Sequence, residues 1–205
     1  MMRRALLVLA LTLAACSILS PQRDMSRFFT LSAVADGASA PSAVGVAVGL
    51  GPVRVPGYLD RPELATRVAA TELAFSPQDR WAEPLSSSLR RVLAQNLSTL
   101  LATDDVALFP WPVGTRVDWA VTVDFTRFER TPDGEVEVAA RWIVRQGAGG
   151  RIRSARDARY TERASGNDTP AVVEAWNKAL AALSKDISDG ITGLGPRDGG
   201  GGGDE

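Results

Sequence analysis

From Val117 to Phe125 every second residue is large and apolar (Val117, Trp119, Val121, Val123, Phe125), and Asp118, Thr122, Asp124 and Thr126 fall on the other parity. Alternate side chains of a strand point to opposite faces, so a period of two predicts a β-strand with one buried and one wetter face. The pattern returns in Val136, Val138, Ala140, Trp142 and Val144. Between the two runs, Thr131-Pro132-Asp133-Gly134 is a turn: Pro presets φ and Gly accepts φ > 0. Gly147-Ala148-Gly149-Gly150 is a second turn, leading into a weaker strand from Ile152 to about Glu162. Strands joined this closely pair antiparallel, so the three segments predict a meander. Its apolar face has to be covered, and that requirement constrains the rest of the chain.

Two amphipathic segments can cover it. Trp81, Leu85, Leu89, Val92, Leu93, Asn96, Leu97 and Leu100 recur at helical spacing and predict a helix over 81–102, with Pro84 in its first turn. Ser86, Ser87, Arg90, Arg91, Gln95 and Ser98 form its solvated side. A second helix follows from Val173, Trp176, Leu180, Leu183 and Ile187, with Thr169 as N-cap and Pro170 at the first helical position. Gly190 and Gly193 are expected to end it. Shorter β-favouring runs are Arg27–Leu31, Val44–Val55, Glu63–Arg67, Thr71–Phe75 and Val106–Phe109; the glycines of the second permit close backbone approach. Asp36–Ser42 reads as a loop, and the five consecutive glycines near the end mark a flexible tail.

The start of the chain has a different character. Met1-Met2-Arg3-Arg4 is a basic opening, and Ala5–Ala15 is an apolar run interrupted only by Thr12. Eleven residues are too few to span a bilayer, which takes about 20, so residues 1–15 read as a secretory signal. The run ends in Leu13-Ala14-Ala15-Cys16, and Cys16 is the only cysteine. Small residues followed by Cys resemble the bacterial lipobox, in which the thiol is alkylated by diacylglycerol and the signal is cut just before it. A single acyl chain binds a membrane only marginally, and two or three hold it firmly. Lipidation at Cys16 therefore implies permanent attachment, and it removes the reactive thiol that a lone cysteine would otherwise present. Ser17 stands where an Asp would retain an enteric lipoprotein in the inner membrane, so the expected location is the periplasmic face of the outer membrane. Residues 16–26 are then lipidated Cys and spacer, 27–191 the domain and 192–205 the tail.

Composition narrows the chemistry. The formal net charge is −1 and becomes −3 once Arg3 and Arg4 leave with the signal, which gives no reason to expect nucleic acid as a partner. There is no histidine, and no thiol is left after lipidation. Cys/His zinc sites and His-dependent nucleophile arrangements are thereby excluded. A carboxylate-based enzyme would still be allowed, yet the acidic residues mostly sit at polar strand positions or helix ends. No metal, cofactor or catalytic residue is expected. The densest basic stretch, Arg151, Arg153, Arg156, Arg159 and Arg163 with Arg141 and Arg145 nearby, is interleaved with Glu135, Glu137 and Asp157. It reads as a solvated strand face, with an anion-binding groove as the alternative.

Three segments carry a family resemblance: Val55-Pro56-Gly57-Tyr58-Leu59-Asp60-Arg61-Pro62, Arg80-Trp81-Ala82-Glu83-Pro84-Leu85 and Phe109-Pro110-Trp111. With the lipobox before them and the Trp176 helix after, the chain resembles the PqiC family of ABC-type transport auxiliary lipoproteins from about Phe28 to Ile187. Phe28-Phe29 replaces a usual tyrosine pair, and Leu64-Ala65 stands where a β-branched pair is common. The resemblance implies a three-layer α/β domain with a mixed sheet, similar to the N-terminal domain of TolB. It also implies an MCE-domain, PqiB-like conduit protein as partner, in a system that moves lipid between the two membranes. A homo-oligomer is compatible with it, and the alternative function is a free-standing lipoprotein holding a lipid or small ligand in its own cavity. The candidate partner-binding segment is Tyr58, Leu59, Asp60, Arg61 and Pro62, because loops presenting Tyr and Arg often anchor interfaces. A purely structural turn, with Asp60 capping and Arg61 paired, is the competing reading. Trp81 is expected to staple the first helix, and Glu83 to complement its dipole.

Overall fold

The computed structural model describes residues 24–34 and 45–194. The signal, Cys16, the 36–42 loop and residues 195–205 of the tail lie outside them. The predicted meander is the framework: β6 (Trp119–Arg130), β7 (Glu135–Gln146) and β8 (Ile152–Arg163) pair antiparallel in sequence order. On β7 all five alternating apolar residues from Val136 to Val144 are buried. On β6 the alternation changes phase. A bulge between Phe125 and Arg127 shifts the register, so that Phe125 sits opposite Ala140 and Arg127 opposite Ala139. The extra residue turns Phe128 into the core and sends Arg127 and Glu129 to the far face.

The other edge of β6 is shared by two groups of strands. Its first half pairs in parallel with β2 (Val48–Arg54), which carries β5 (Val106–Leu108) on its outer side. Its last residue meets β3 (Glu63–Ala69), where Thr66 lies opposite Arg130. Antiparallel to β3 runs β4 (Glu72–Trp81), and the end of β4 carries β1 (Arg27–Phe29) in parallel. The result is a mixed, eight-stranded sheet.

The helix boundaries differ from expectation. Trp81 is the last residue of β4, tied by its N–H to the Pro62 carbonyl at 2.6 Å. The first helix, α1, spans Leu85–Leu100, with Pro84 at its N-cap in an extended conformation. The four-residue step from Trp81 to Leu85 suits a helix but equally suits a strand turning into one. The second helix, α2, spans Thr169–Thr192, with Asp168 at the N-cap; the Thr169 hydroxyl donates to Asp79 Oδ2 at 2.6 Å instead of capping. It also passes through Gly190 and ends at Gly193. Gly190 marks a close approach rather than a stop: a Cβ there would lie 2.8 Å from Trp142 Cη2.

The α/β class, the mixed sheet, the meander and the two long helices are as expected. The covering layers are unequal. Both helices occupy one face and lean on each other, with buried Asn96 Nδ2 donating to Ser184 Oγ at 3.1 Å. The other face is covered in part by the 109–117 segment, not by a helix. There the ring carbons of Trp111 would come within 3.1 Å of a Cβ at position 49, which is why β2 carries glycine. Under the helices, Trp176 stacks on Phe128 (centroids 5.1 Å apart, planes at 17°) and lies 5.4 Å from Trp81. These three rings join α2, β6 and β4 at the centre of the core.

Candidate docking site

The chain leaves β2 at Arg54 and makes one 3-10 turn, Gly57–Leu59, in which Leu59 N donates to Pro56 O at 2.9 Å. Leu59 is buried in the core. Tyr58 turns to the open face of the sheet, where its hydroxyl donates to Glu129 Oε1 at 2.5 Å and lies 3.2 Å from the Thr126 carbonyl. Burial and the neighbouring Glu129 carboxylate push the Tyr58 hydroxyl up to about 12. Glu129 is 1% exposed and also accepts two bonds from Arg67, at 2.5 and 2.8 Å. Burial alone would raise its carboxyl; the hydrogen bonds from Arg67 and Tyr58, with the charges of Arg67 and Arg127, outweigh that and hold it below the usual carboxylate range. Tyr58 and Leu59 are thus committed to the fold.

The next three residues face outward. Asp60 and Pro62 are exposed. The Arg61 guanidinium lies 3.8 Å above the Phe75 ring and its Nε donates to Glu63 Oε2 at 2.8 Å, which lowers the Glu63 carboxyl. Directly beside them comes the second motif. The bond from Trp81 N to Pro62 O joins the two segments, and Ala82 N donates to Phe29 O at 2.8 Å. Glu83 acts at the start of α1 through side chains rather than through the dipole alone. It accepts from Ser88 Oγ at 2.6 Å and Arg91 Nη2 at 2.7 Å, and both bonds hold its carboxyl below the usual range. Asp60, Arg61 and Pro62 face Trp81, Ala82, Glu83 and Pro84 across an open depression of about 300 Å³. The two motifs that the sequence separates by some twenty residues form one ledge.

The third motif lies elsewhere. Phe109 N donates to Leu50 O at 2.9 Å beyond β5, and the Phe109 and Trp111 rings meet edge to face at 5.3 Å. The arginine-rich strand is partly neutralised: Arg159 pairs with Glu137 and Arg163 with Glu135 of β7, Arg156 pairs with Asp186 of α2, and Arg141 of β7 pairs with Asp157. Sequence reasoning missed Glu129 and Arg67, the braces beneath the ledge. Their role depends on the β6 bulge, and the only trace of that in the sequence is Phe128 falling out of phase with Phe125.

Residues 29–188 match the family model described as the ABC-type transport auxiliary lipoprotein component. The chain is 28% identical over 137 residues to the intermembrane transport lipoprotein PqiC of Escherichia coli (strain K12), covering 66% of this chain and 71% of that protein. The PqiC of Shigella flexneri matches to the same extent. Among solved structures, protein XCC0632 from Xanthomonas campestris has the same fold, with a TM-score of 0.69 at 19% identity over 82% of this chain and 97% of the other. The family is a transport auxiliary component of the cell envelope rather than a catalyst. On the strength of a match that spans nearly the whole domain, this chain belongs to the ABC-type transport auxiliary lipoprotein family.

Proposed function

We propose that the chain is the lipid-anchored accessory subunit of an MCE/ABC-type intermembrane lipid transport system. Cys16 holds it on the periplasmic face of the outer membrane, and its domain docks an MCE-domain, PqiB-like conduit there, supporting membrane integrity. The name of the Escherichia coli relative, an intermembrane transport lipoprotein, supports the transport half of this reading.

The observation that carries the docking half is the ledge. Asp60, Arg61 and Pro62 project from a segment whose two preceding side chains are fixed, Tyr58 on Glu129 and Leu59 in the core. A rigid loop flanked by prolines loses little freedom when a partner covers it, so its contacts convert into affinity with a small ordering cost. The alternative reading, a ligand held inside the domain, meets an interior already filled by Trp81, Phe128 and Trp176.

The test is a charge exchange at the outward residues. Asp60→Lys with Arg61→Glu should leave folding intact, because neither carboxylate nor guanidinium is buried. Co-purification of the MCE-domain partner should drop at least about tenfold, which corresponds to 1.4 kcal/mol of binding. Undiminished recovery from a normally folded mutant would move the docking surface elsewhere. The anchor is tested separately: Cys16→Ala should abolish fatty-acid labelling, since the chain has no second thiol.

A further inference from the structure

We propose that the β1 edge, led by Met25 and Phe28, rests on the membrane that anchors the chain, with a lipid surface as its occupant. The proposal builds on the reading of Cys16 as the anchor. Met25 is 62% exposed and Phe28 64% exposed, among the most exposed large apolar side chains of the described residues. Phe28 cannot turn inward. Its neighbours in β1 hold the other face: Phe29 packs on the core, and Arg27 is clamped to Asp79, Nε to Oδ1 at 2.7 Å. Alternation along the strand then leaves Phe28 pointing away, beside its register partner Arg80. β1 is also the end of the strand order, with β4 on one side and, among the described residues, no strand on the other.

The length of the tether says what covers this edge. Eight residues, 17–24, separate Cys16 from Met25. At no more than about 3.6 Å each they reach roughly 29 Å when fully extended. A domain of this size has a radius of gyration of about 15 Å, hence a width near 40 Å. The tether is therefore shorter than the domain is wide, so the β1 end cannot lie on the side of the domain farthest from the lipid. Tethering makes the contact intramolecular, so even weak attraction of two apolar side chains for the bilayer interface is realised at high effective concentration. A geometric consequence follows for the ledge. The bond from Ala82 N to Phe29 O joins it to β1, so Asp60–Pro62 would meet a conduit close to the lipid surface.

Depth-dependent quenching tests this. Cys16 is occupied by its acyl chain, so a single new cysteine can carry a fluorophore in the acylated protein. Labels at Phe28→Cys, Met25→Cys and, as control, Val113→Cys would be compared in vesicles of phosphatidylethanolamine and phosphatidylglycerol containing spin-labelled lipid. Val113 is fully exposed and follows β5, at the other end of the strand order. The labels at 28 and 25 should be quenched several-fold more than the label at 113. Equal quenching at all three positions would overturn the proposal. So would quenching at 28 that is absent in sparsely loaded vesicles and replaced by self-quenching in crowded ones, since a second copy would then cover the edge. Failure of the acylated protein to stay on vesicles at all would instead sink the anchor reading.

Discussion

On the helix side of the meander, Val136, Val138, Ala140, Trp142 and Val144 lie under α2 and lose nearly all contact with water. On the far side of the same strands, Glu129, Glu137, Arg127, Arg141 and Arg159 are held in ion pairs, ranging from the buried Glu129–Arg67 pair to the solvent-facing Arg141–Asp157 pair. One face is stabilised by area removed from water, with no charge to titrate or to screen. The other is stabilised by charge, whose value depends on how far each pair is buried. The candidate docking segment straddles the two: Leu59 belongs to the first face, and Tyr58 to the second. A ledge fixed from both sides is stiff, and its stiffness is open to attack from each side separately.

The apolar side should give the largest response. Trp176→Ala removes a ring that touches both Phe128 and Trp81, and truncating a buried Trp costs roughly 3–5 kcal/mol. At about 2–4 °C of melting temperature per kcal/mol for a domain of this length, thermal denaturation should register it clearly. A loss under about 1 kcal/mol would mean that the aromatic cluster does not join the helices to the sheet as described.

Arg67→Met attacks the charged side where it is most buried. Breaking a fully buried pair by removing one partner costs roughly 3–5 kcal/mol, and a loss of about 2–3 kcal/mol is expected here because the Arg67 side chain keeps 18% of its exposure. The sign of the pH dependence separates this effect from lost packing. Glu129 is held below the usual carboxylate range in the folded protein, so it binds its proton more readily in the unfolded chain. Its stabilising contribution is complete above the unfolded value of about 4.3 and is lost as pH falls through the lowered folded value. The difference in melting temperature between wild type and Glu129→Gln should therefore shrink with acidification below about pH 4.5. Trp176→Ala should show no such convergence. Parallel acid profiles for wild type and Glu129→Gln would remove Glu129 from the account of the ledge.

The same division explains what the sequence could say in advance. Apolar periodicity is a property of neighbours along the chain, so the β7 residues, the α1 stripe and the α2 stripe could be read directly. Parity through Phe125 was equally plain. The bulge after it was not, because an extra residue in one strand is fixed by pairing with Ala139 and Ala140 of the next. Everything that depends on the bulge was hidden with it: Phe128 in the core, Glu129 on the far face, and hence the partner of Tyr58. The reach of β4 to Trp81 was hidden for a related reason. Ser76-Pro77-Gln78-Asp79-Arg80 has no strand-like alternation, and its pairing is supplied by β1 and by Glu63. The ledge was half legible. Its two motifs stood out as segments, but their adjacency rests on the pairing of Glu63 with Arg80 and the bond from Trp81 N to Pro62 O, between residues 19 positions apart.

The smallest effect is expected from Arg141→Ala, and its smallness is informative. Arg141 Nη1 lies 3.0 Å from Asp157 Oδ2, closer than the 3.4 Å of the more buried Arg127–Glu137 pair. Yet the two side chains keep 53% and 74% of their exposure. In water the attraction is weak, ordering two flexible side chains opposes it, and salt screens what remains, so such pairs contribute about 0–1 kcal/mol. Removing Arg141 should change stability by less than about 0.5 kcal/mol. Raising the salt concentration should reduce even that difference, whereas the loss in Arg67→Met should persist because its partner is shielded from ions. Denaturant unfolding at low and high salt, run on both variants, measures this directly. A loss at Arg141 comparable to that at Arg67 would show that the open face behaves as one cooperative network. Its buried brace and its solvated rim would then not be energetically separate.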